Sequence, residues 1–265
     1  MADRSYPKGM QRILAGSIDF ANDDIAVGLV SNSYTYDVTH EFVSDLGALV
    51  GTAVTLDSVA IAGGVLDADE ADFGNIAPGS TIKAAAIFKD TGNPSNSPLL
   101  AYIDSPLGLP LATNGGDVVV PWDPGAKRIF RLGLPFFPKG AEKTLAGAID
   151  WGSDDLKIAL MPSSYTYNAA HEFLDDVSAA IGSPKALSGV SIVGGVFDAD
   201  DVDTDALTAG STIGSAVIYK DTTDPSTSPL LLHVSPVTGF PFVTNGGKLK
   251  IEWSNGAAKI FSLVV

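Results

Sequence analysis

Two histidines, His40 and His171, each open a His-Glu-Phe tripeptide. Imidazole trades protons near neutral pH and ligates metals, so a general base or a metal ligand is the chemistry to consider first. Neither has a second histidine or a cysteine close by in sequence, and the third histidine, His233, stands apart. A structural role at the start of a helix is the expectation for both. Asp67, Asp69 and Asp72, with Glu70 between them, form an acidic run that returns as Asp198, Asp200 and Asp203 with Asp201. Carboxylates this close suit Ca²⁺, but the glycine and glutamate that an EF-hand loop needs at its sixth and twelfth positions are missing. Two carboxylates also serve glycoside hydrolysis, and in a strand Asp67 and Asp69, or Asp198 and Asp200, would share one face. A solvated face with turn-forming aspartates is the expected reading. Trp122 and Trp253 alternate with apolar residues and are expected in the core rather than as sugar platforms. Tyr34, Tyr36, Tyr165 and Tyr167 lie in Ser/Thr-rich stretches, where an exposed interaction surface and loop anchoring are both open. There is no cysteine, no G-x-S-x-G elbow, and no Walker or Rossmann glycine pattern. The expectation is a protein that is not an enzyme, with no catalytic, cofactor-binding or metal-binding residues.

These residues come in pairs because the chain repeats itself. Gly63–Asp69 reads GGVLDAD and Gly194–Asp200 reads GGVFDAD, a step of 194 − 63 = 131 positions. The step holds without a gap from Pro7 to Val265, at roughly 45 per cent identity, far above chance for so long a period. The expected organisation is a polar, mobile arm at residues 1–5, one β-sandwich repeat over residues 6–134 and a second over residues 137–265. The junction Gly133-Leu134-Pro135-Phe136-Phe137-Pro138 is short and apolar. A flexible linker would be polar and rich in Gly and Ser, so the two units should be packed or stiffly coupled.

Within each unit the pattern is that of strands. Ile25, Val27 and Leu29 alternate, as does the copy, with Lys157 on its outer face. Thr81–Phe88 and Thr212–Tyr219 are almost continuously apolar, as a central buried strand would be. Leu99–Ile103 reads as another strand. Gly63-Gly64 suits a turn or bulge, and Asn114-Gly115 and its copy are hairpin signals. Leu249, Ile251 and Trp253 alternate with Lys248, Lys250 and Glu252, and Lys259–Leu263 follows as the last strand. Phe173, Val177 and Ile181 are four apart, which predicts a short helix between an Asn168 N-cap and a Gly182 C-cap, with a weaker counterpart around Phe42 and Leu46. The fold class is therefore mainly β: two tandem antiparallel β-sandwich, jelly-roll-like domains of seven to eight strands, each with one short helix.

Composition narrows the partners. The net charge is −15 over 265 residues, which argues against nucleic acid, since phosphate binding needs clustered Lys and Arg. No apolar run approaches the roughly 20 residues that cross a bilayer, and the N-terminus lacks the apolar region of a signal peptide. Neither a membrane partner nor export is expected.

One resemblance adds to this. The repeated motifs run Leu14-Ala15-Gly16-Ser17-Ile18-Asp19-Phe20, Asp23-Asp24-Ile25, Tyr34-Thr35-Tyr36, His40-Glu41-Phe42, Gly63–Asp69, Lys89-Asp90-Thr91, Ser97-Pro98-Leu99-Leu100, Gly108-Leu109-Pro110, Thr113–Gly116 and Trp122–Phe130. In that order they resemble small virion-associated proteins of tailed bacteriophages, which are usually single units of this length. The resemblance covers nearly the whole chain twice, and the duplication departs from it. It implies a capsid decoration, or cement, protein made in the host bacterial cytoplasm and located on the capsid surface of the virion. Its partner would be the major capsid protein, and it would form homo-oligomers, trimers at local threefolds being one arrangement. A tail- or fibre-associated module binding a receptor or carbohydrate is the alternative.

Overall fold

The computed structural model describes residues 4–105, 108–125, 128–133, 135–177 and 179–264. In the first half these form β1 (Arg4–Ser5), α1 (Pro7–Leu14), β2 (Ile25–Ser31), β3 (Val54–Thr55), β4 (Ala60–Ala62), β5 (Val65–Asp67), β6 (Ala71–Asn75), β7 (Thr81–Lys89), β8 (Leu99–Ile103), β9 (Leu111–Ala112), β10 (Asp117–Val120) and β11 (Phe130–Arg131). The second half continues with α2 (Pro138–Leu145), β12 (Leu156–Pro162), β13 (Lys185–Ala186), β14 (Ser191–Val193), β15 (Val196–Asp198), β16 (Val202–Asp203), β17 (Thr212–Lys220), β18 (Leu230–Val234), β19 (Phe242–Val243), β20 (Lys250–Ile251) and β21 (Phe261–Ser262). The protein is mainly β, built of antiparallel sheets around buried cores, as in the β-sandwich class.

The main sheet of the first half has the order β1-β8-β7-β2-β3, with β9 also on β7. A three-stranded sheet, β11-β5-β4, and the pair β10-β6 complete that half. The second half has β13-β12-β17-β18 with β19 on β17, then β14-β15-β21 and β16-β20. Register repeats as well: Ile25 faces Lys89 and Leu156 faces Lys220, and both ladders slip near the end, after Val30 and Met161.

The central strands are apolar on both faces because both are covered. Ile25, Val27 and Leu29 point into the largest core cluster, while Ala26 and Val30 point into a second cluster with Tyr6, Tyr34, Val43 and Tyr102. That largest cluster belongs to both halves. Ile13, Leu14 and Leu66 share it with Leu145, Trp151 and Phe197, all buried.

Several expectations are corrected. The stretch from His171 to Gly182 is not a helix between Asn168 and Gly182: only Leu174–Asp176 turns, as one 3-10 turn, like Val43–Leu46 in the first half. Its backbone is drawn to other segments instead, Leu174 N–H donating to Ser228 O, just ahead of β18, at 2.9 Å and Ile181 N–H to Leu160 O of β12 at 2.8 Å. Those bonds are incompatible with an intrahelical ladder. The helices are α1 and α2, each with proline at its first position, where the missing N–H costs nothing. Met10, Ile13 and Leu14 form the buried stripe of α1. Residues 1–5 are not wholly a free arm, since Arg4 and Ser5 pair with Tyr102 and Ala101 of β8. Thr113–Gly116 makes no hairpin: it leads from β9, paired with β7, to β10, paired with β6. Of residues 248–253 only β20 is laddered, on β16. Among the described residues the strands number eleven and ten rather than seven to eight, because many are two-residue pairings.

Candidate functional site

Residue by residue, the repeated motifs spend their polar atoms on backbone. Asp19 N–H and Asp150 N–H donate to Asp23 Oδ2 and Asp154 Oδ2, both at 2.8 Å. The lysines of Lys-Asp-Thr reach the same aspartates, Lys89 Nζ at 2.7 Å and Lys220 Nζ at 2.8 Å. Ser97 Oγ and Ser228 Oγ accept from Thr91 N–H and Thr222 N–H at 3.1 Å. Thr113 Oγ1 and Thr244 Oγ1 accept from Ser80 N–H and Ser211 N–H at 2.9 Å. Such side-chain bonds fix turns that no ladder holds.

His40 and His171 sit in aromatic nests. Tyr34 Oη lies 2.8 Å from His40 Nδ1, and Tyr165 Oη lies 3.1 Å from His171 Nδ1. Tyr34 Oη also meets Tyr6 Oη at 3.0 Å, and Tyr36 Oη donates to Ser5 O at 2.8 Å. The tyrosines therefore anchor the loop over the outer face of the sheet. Burial pushes the phenol of Tyr165 up to about 12. The nests differ at their floors. Tyr102 in the first half corresponds to His233 in the second, which stacks on Tyr167 at 5.1 Å between centroids and has Phe137 and Tyr165 at its edges. Burial pushes the His233 imidazole down. Tyr102 Oη and Asp104 Oδ1 are buried without a hydrogen-bond partner, and Arg4 stands 4.0 Å from Asp104.

The acidic runs do not present their paired aspartates on one strand face. β5 and β15 end at Asp67 and Asp198, so Asp69 and Asp200 lie beyond the strands and the same-face geometry fails. Asp67 and Asp198 face Arg128 at 3.4 Å and Lys259 at 3.3 Å, while Asp69 and Asp200 accept from Ser58 Oγ at 2.7 Å and Ser188 Oγ at 3.1 Å. Trp122 and Trp253 are half-buried, and their indole N–H groups donate to Asp69 O at 2.8 Å and Asp200 O at 2.9 Å. Each indole thus pins the end of an Asp-Ala-Asp segment. Among the described residues no three His, Asp or Glu side chains are grouped to hold a metal ion. Asp57, Asp69, Glu70 and Asp72 line an open cleft of about 380 Å³. A second groove, of about 530 Å³, runs between Pro135, Val234, Pro236, Phe240, Trp253 and Ile260.

The Gly-Gly pairs carry the contact that sequence reasoning missed. Gly63 and Gly64 have φ of +59° and +76°, and Gly194 and Gly195 have +57° and +80°. Two successive positive φ values make the tight hairpin turn in which glycine is favoured. Each tip reaches the helix of the other half. Gly63 N–H donates to Glu142 Oε1 at 2.6 Å, and Gly194 N–H donates to Gln11 Oε1 at 3.1 Å. A Cβ on Gly64 would lie 2.6 Å from Ala141 Cβ, and one on Gly195 would lie 2.4 Å from Met10 Cβ. The loops after the helices close the contact: Phe20 N–H donates to Leu145 O at 3.0 Å and Trp151 N–H to Leu14 O at 2.8 Å. The glycine pair itself was visible in sequence; its partner helix, in the other half, was not.

Comparison with known proteins matches the chain to no family model, no curated protein and no solved structure.

Proposed function

We propose that this protein is a non-enzymatic structural component of a tailed-phage virion, binding the outside of the capsid and reinforcing contacts between major capsid subunits. The supporting observation is that the repeated polar residues tie down the fold while the two halves clasp into one body. Such a body offers two similar outer faces at fixed separation. Linked sites on a lattice of near-identical subunits gain avidity of about 10²–10⁴ over one site. The charge of −15 favours the outer surface over the DNA-filled interior. Reconstruction of particles with and without this protein tests the reading. The expected result is density spread over the head, and particles lacking the protein that lose DNA at lower temperature. Equal heat resistance, with no density missing from the head, would sink it.

The groove beside Trp253 favours a second reading, a tail-associated module binding carbohydrate, because an aromatic wall with a polar rim suits a sugar ring. Glycan-array binding abolished by Trp253→Ala, with density at the tail tip alone, would select it.

A further inference from the structure

The contact between the halves is reciprocal at its hairpin tips and in the loops that follow its helices. Glu142 on Gly63 and Gln11 on Gly194 are the same pair of positions exchanged, since 142 − 11 and 194 − 63 both equal 131. Phe20 on Leu145 and Trp151 on Leu14 are likewise one pair made twice. So are Ala141 under Gly64 and Met10 under Gly195. The loops between helix and first long strand meet each other, a Cβ on Gly16 lying 3.3 Å from Gly147 O and one on Gly147 lying 3.2 Å from Ile18 O. An interface in which residue i meets j and j meets i is the isologous pattern of a twofold dimer. Here it sits inside one chain.

Each half therefore carries both parts of the clasp: a helix that presents a small or flexible residue and an amide or carboxylate acceptor, and a glycine hairpin that receives them. The contact uses the same positions on both sides, with Met10 and Gln11 on one helix where Ala141 and Glu142 stand on the other. The two Cβ approaches, 2.6 and 2.4 Å, place the helices at the same depth. Buried Leu66 and Phe197 lie behind the tips in one common core. We propose that each half is a self-recognising module whose partner is another copy of the same unit, and that this chain is such a pair tied end to end. The inference is independent of the capsid reading, because it concerns the unit's own surface.

The test uses the whole chain, folded before it is cut. A protease-recognition loop is inserted after half-exposed Gly133, and cleavage is followed by native mass spectrometry. The halves differ in mass, so three pairings are distinguishable after incubation in mild urea and return to buffer. The expected result is that the cut halves remain paired and exchange to give first-with-first and second-with-second pairs beside the mixed one. Free halves, or the mixed pair alone, would overturn the proposal. Gly64→Val sharpens the reading: it strikes the first-half pair twice, the mixed pair once and the second-half pair not at all. Should that variant unfold its half, Glu142→Ala removes the bond to the hairpin tip together with an exposed ion pair to Lys139 of the same helix. It should weaken the mixed pair about fivefold and the second-half pair by the square of that factor, sparing the first-half pair. Equal weakening of all three pairs would also count against self-recognition.

Discussion

At the scale of single residues, the two halves differ most informatively in the core. Phe20 of the first half is replaced by Trp151, which is fully buried and adds an N–H that must be satisfied. The corresponding change from Ile13 to Thr144 supplies the acceptor: Trp151 Nε1 donates to Thr144 Oγ1 at 3.3 Å, and that hydroxyl donates to Gly140 O at 2.9 Å. Thr144→Val should cost about 1–3 kcal/mol by stranding the indole N–H. In Trp151→Phe the same threonine change should cost less, giving a coupling of at least about 0.5 kcal/mol in a urea-unfolding cycle. Additive losses would show that the bond carries no weight. The second residue-scale expectation concerns pH. His233 is held neutral by burial among Phe137, Tyr165 and Tyr167, with its pKa below the usual 6.5. The unfolded chain then binds a proton that the folded one refuses, so stability is full above about 6.5 and declines as pH falls toward the folded value, no more steeply than about 1.4 kcal/mol per pH unit. Asp45 and Asp176 titrate in a lower window. Backbone N–H groups of Phe42 and Phe173 hold their carboxyls below the ordinary range, so that their contribution is lost only in stronger acid. His233→Tyr, which installs the first-half residue, should flatten the decline between pH 7 and 5 and leave the acid limb in place.

At the scale of elements, α1 and α2 pack directly on strand backbone. A Cβ at Gly9 would lie 2.1 Å from Leu99 O, and one at Gly140 would lie 2.3 Å from Leu230 O. Helix propensity alone predicts that glycine to alanine gains roughly 0.5–1 kcal/mol. Contact predicts the opposite sign, because the helix must lift off the sheet and open the core. Gly9→Ala and Gly140→Ala should each lower the denaturant midpoint, and a rise would refute the packing. These glycines explain why the helices were illegible in sequence. Glycine mid-helix, in a segment of eight residues, masks the stripe of Met10, Ile13 and Leu14. Long strands were legible because β2, β7 and β8 carry apolar runs buried on both faces. Phe173, Val177 and Ile181 misled because helical spacing there serves a loop laid across a sheet, its backbone bonded to β12 and to Ser228, just ahead of β18. Two-residue strands such as β13 and β20 exist only through their partners, and no local pattern encodes them. Likewise, Gly63 and Glu142 are 79 residues apart, and Gly194 and Gln11 are 183 apart, so the clasp had no local signature.

At the scale of the whole molecule, the shared core decides how the chain melts. Ile13 and Leu66 of one half and Trp151 and Phe197 of the other lie in one buried cluster, so neither half can lose its packing without exposing the other's. Calorimetry should therefore show one transition with calorimetric and van't Hoff enthalpies in agreement. Two separated peaks would mean that the halves are independent bodies. Pro135–Phe137 strengthens the expectation, since this junction runs along β18, His233 N–H donating to Pro135 O at 2.8 Å and Phe137 N–H to Leu231 O at 2.9 Å.

The Trp151–Thr144 pair has a consequence for how such a molecule can change over generations. In a dimer of identical chains every codon is read twice across the symmetry axis. A larger ring or a new hydroxyl arrives on both sides at once, and a crowded centre must absorb both. Here positions 20 and 151, and 13 and 144, are written separately, so one side holds Phe and Ile while the other tries Trp and Thr. The same freedom extends to the aromatic nests, where Arg4, Tyr102 and Asp104 of one half correspond to Pro135, His233 and Ser235 of the other. Heredity can thus specialise one nest while its twin keeps the older chemistry.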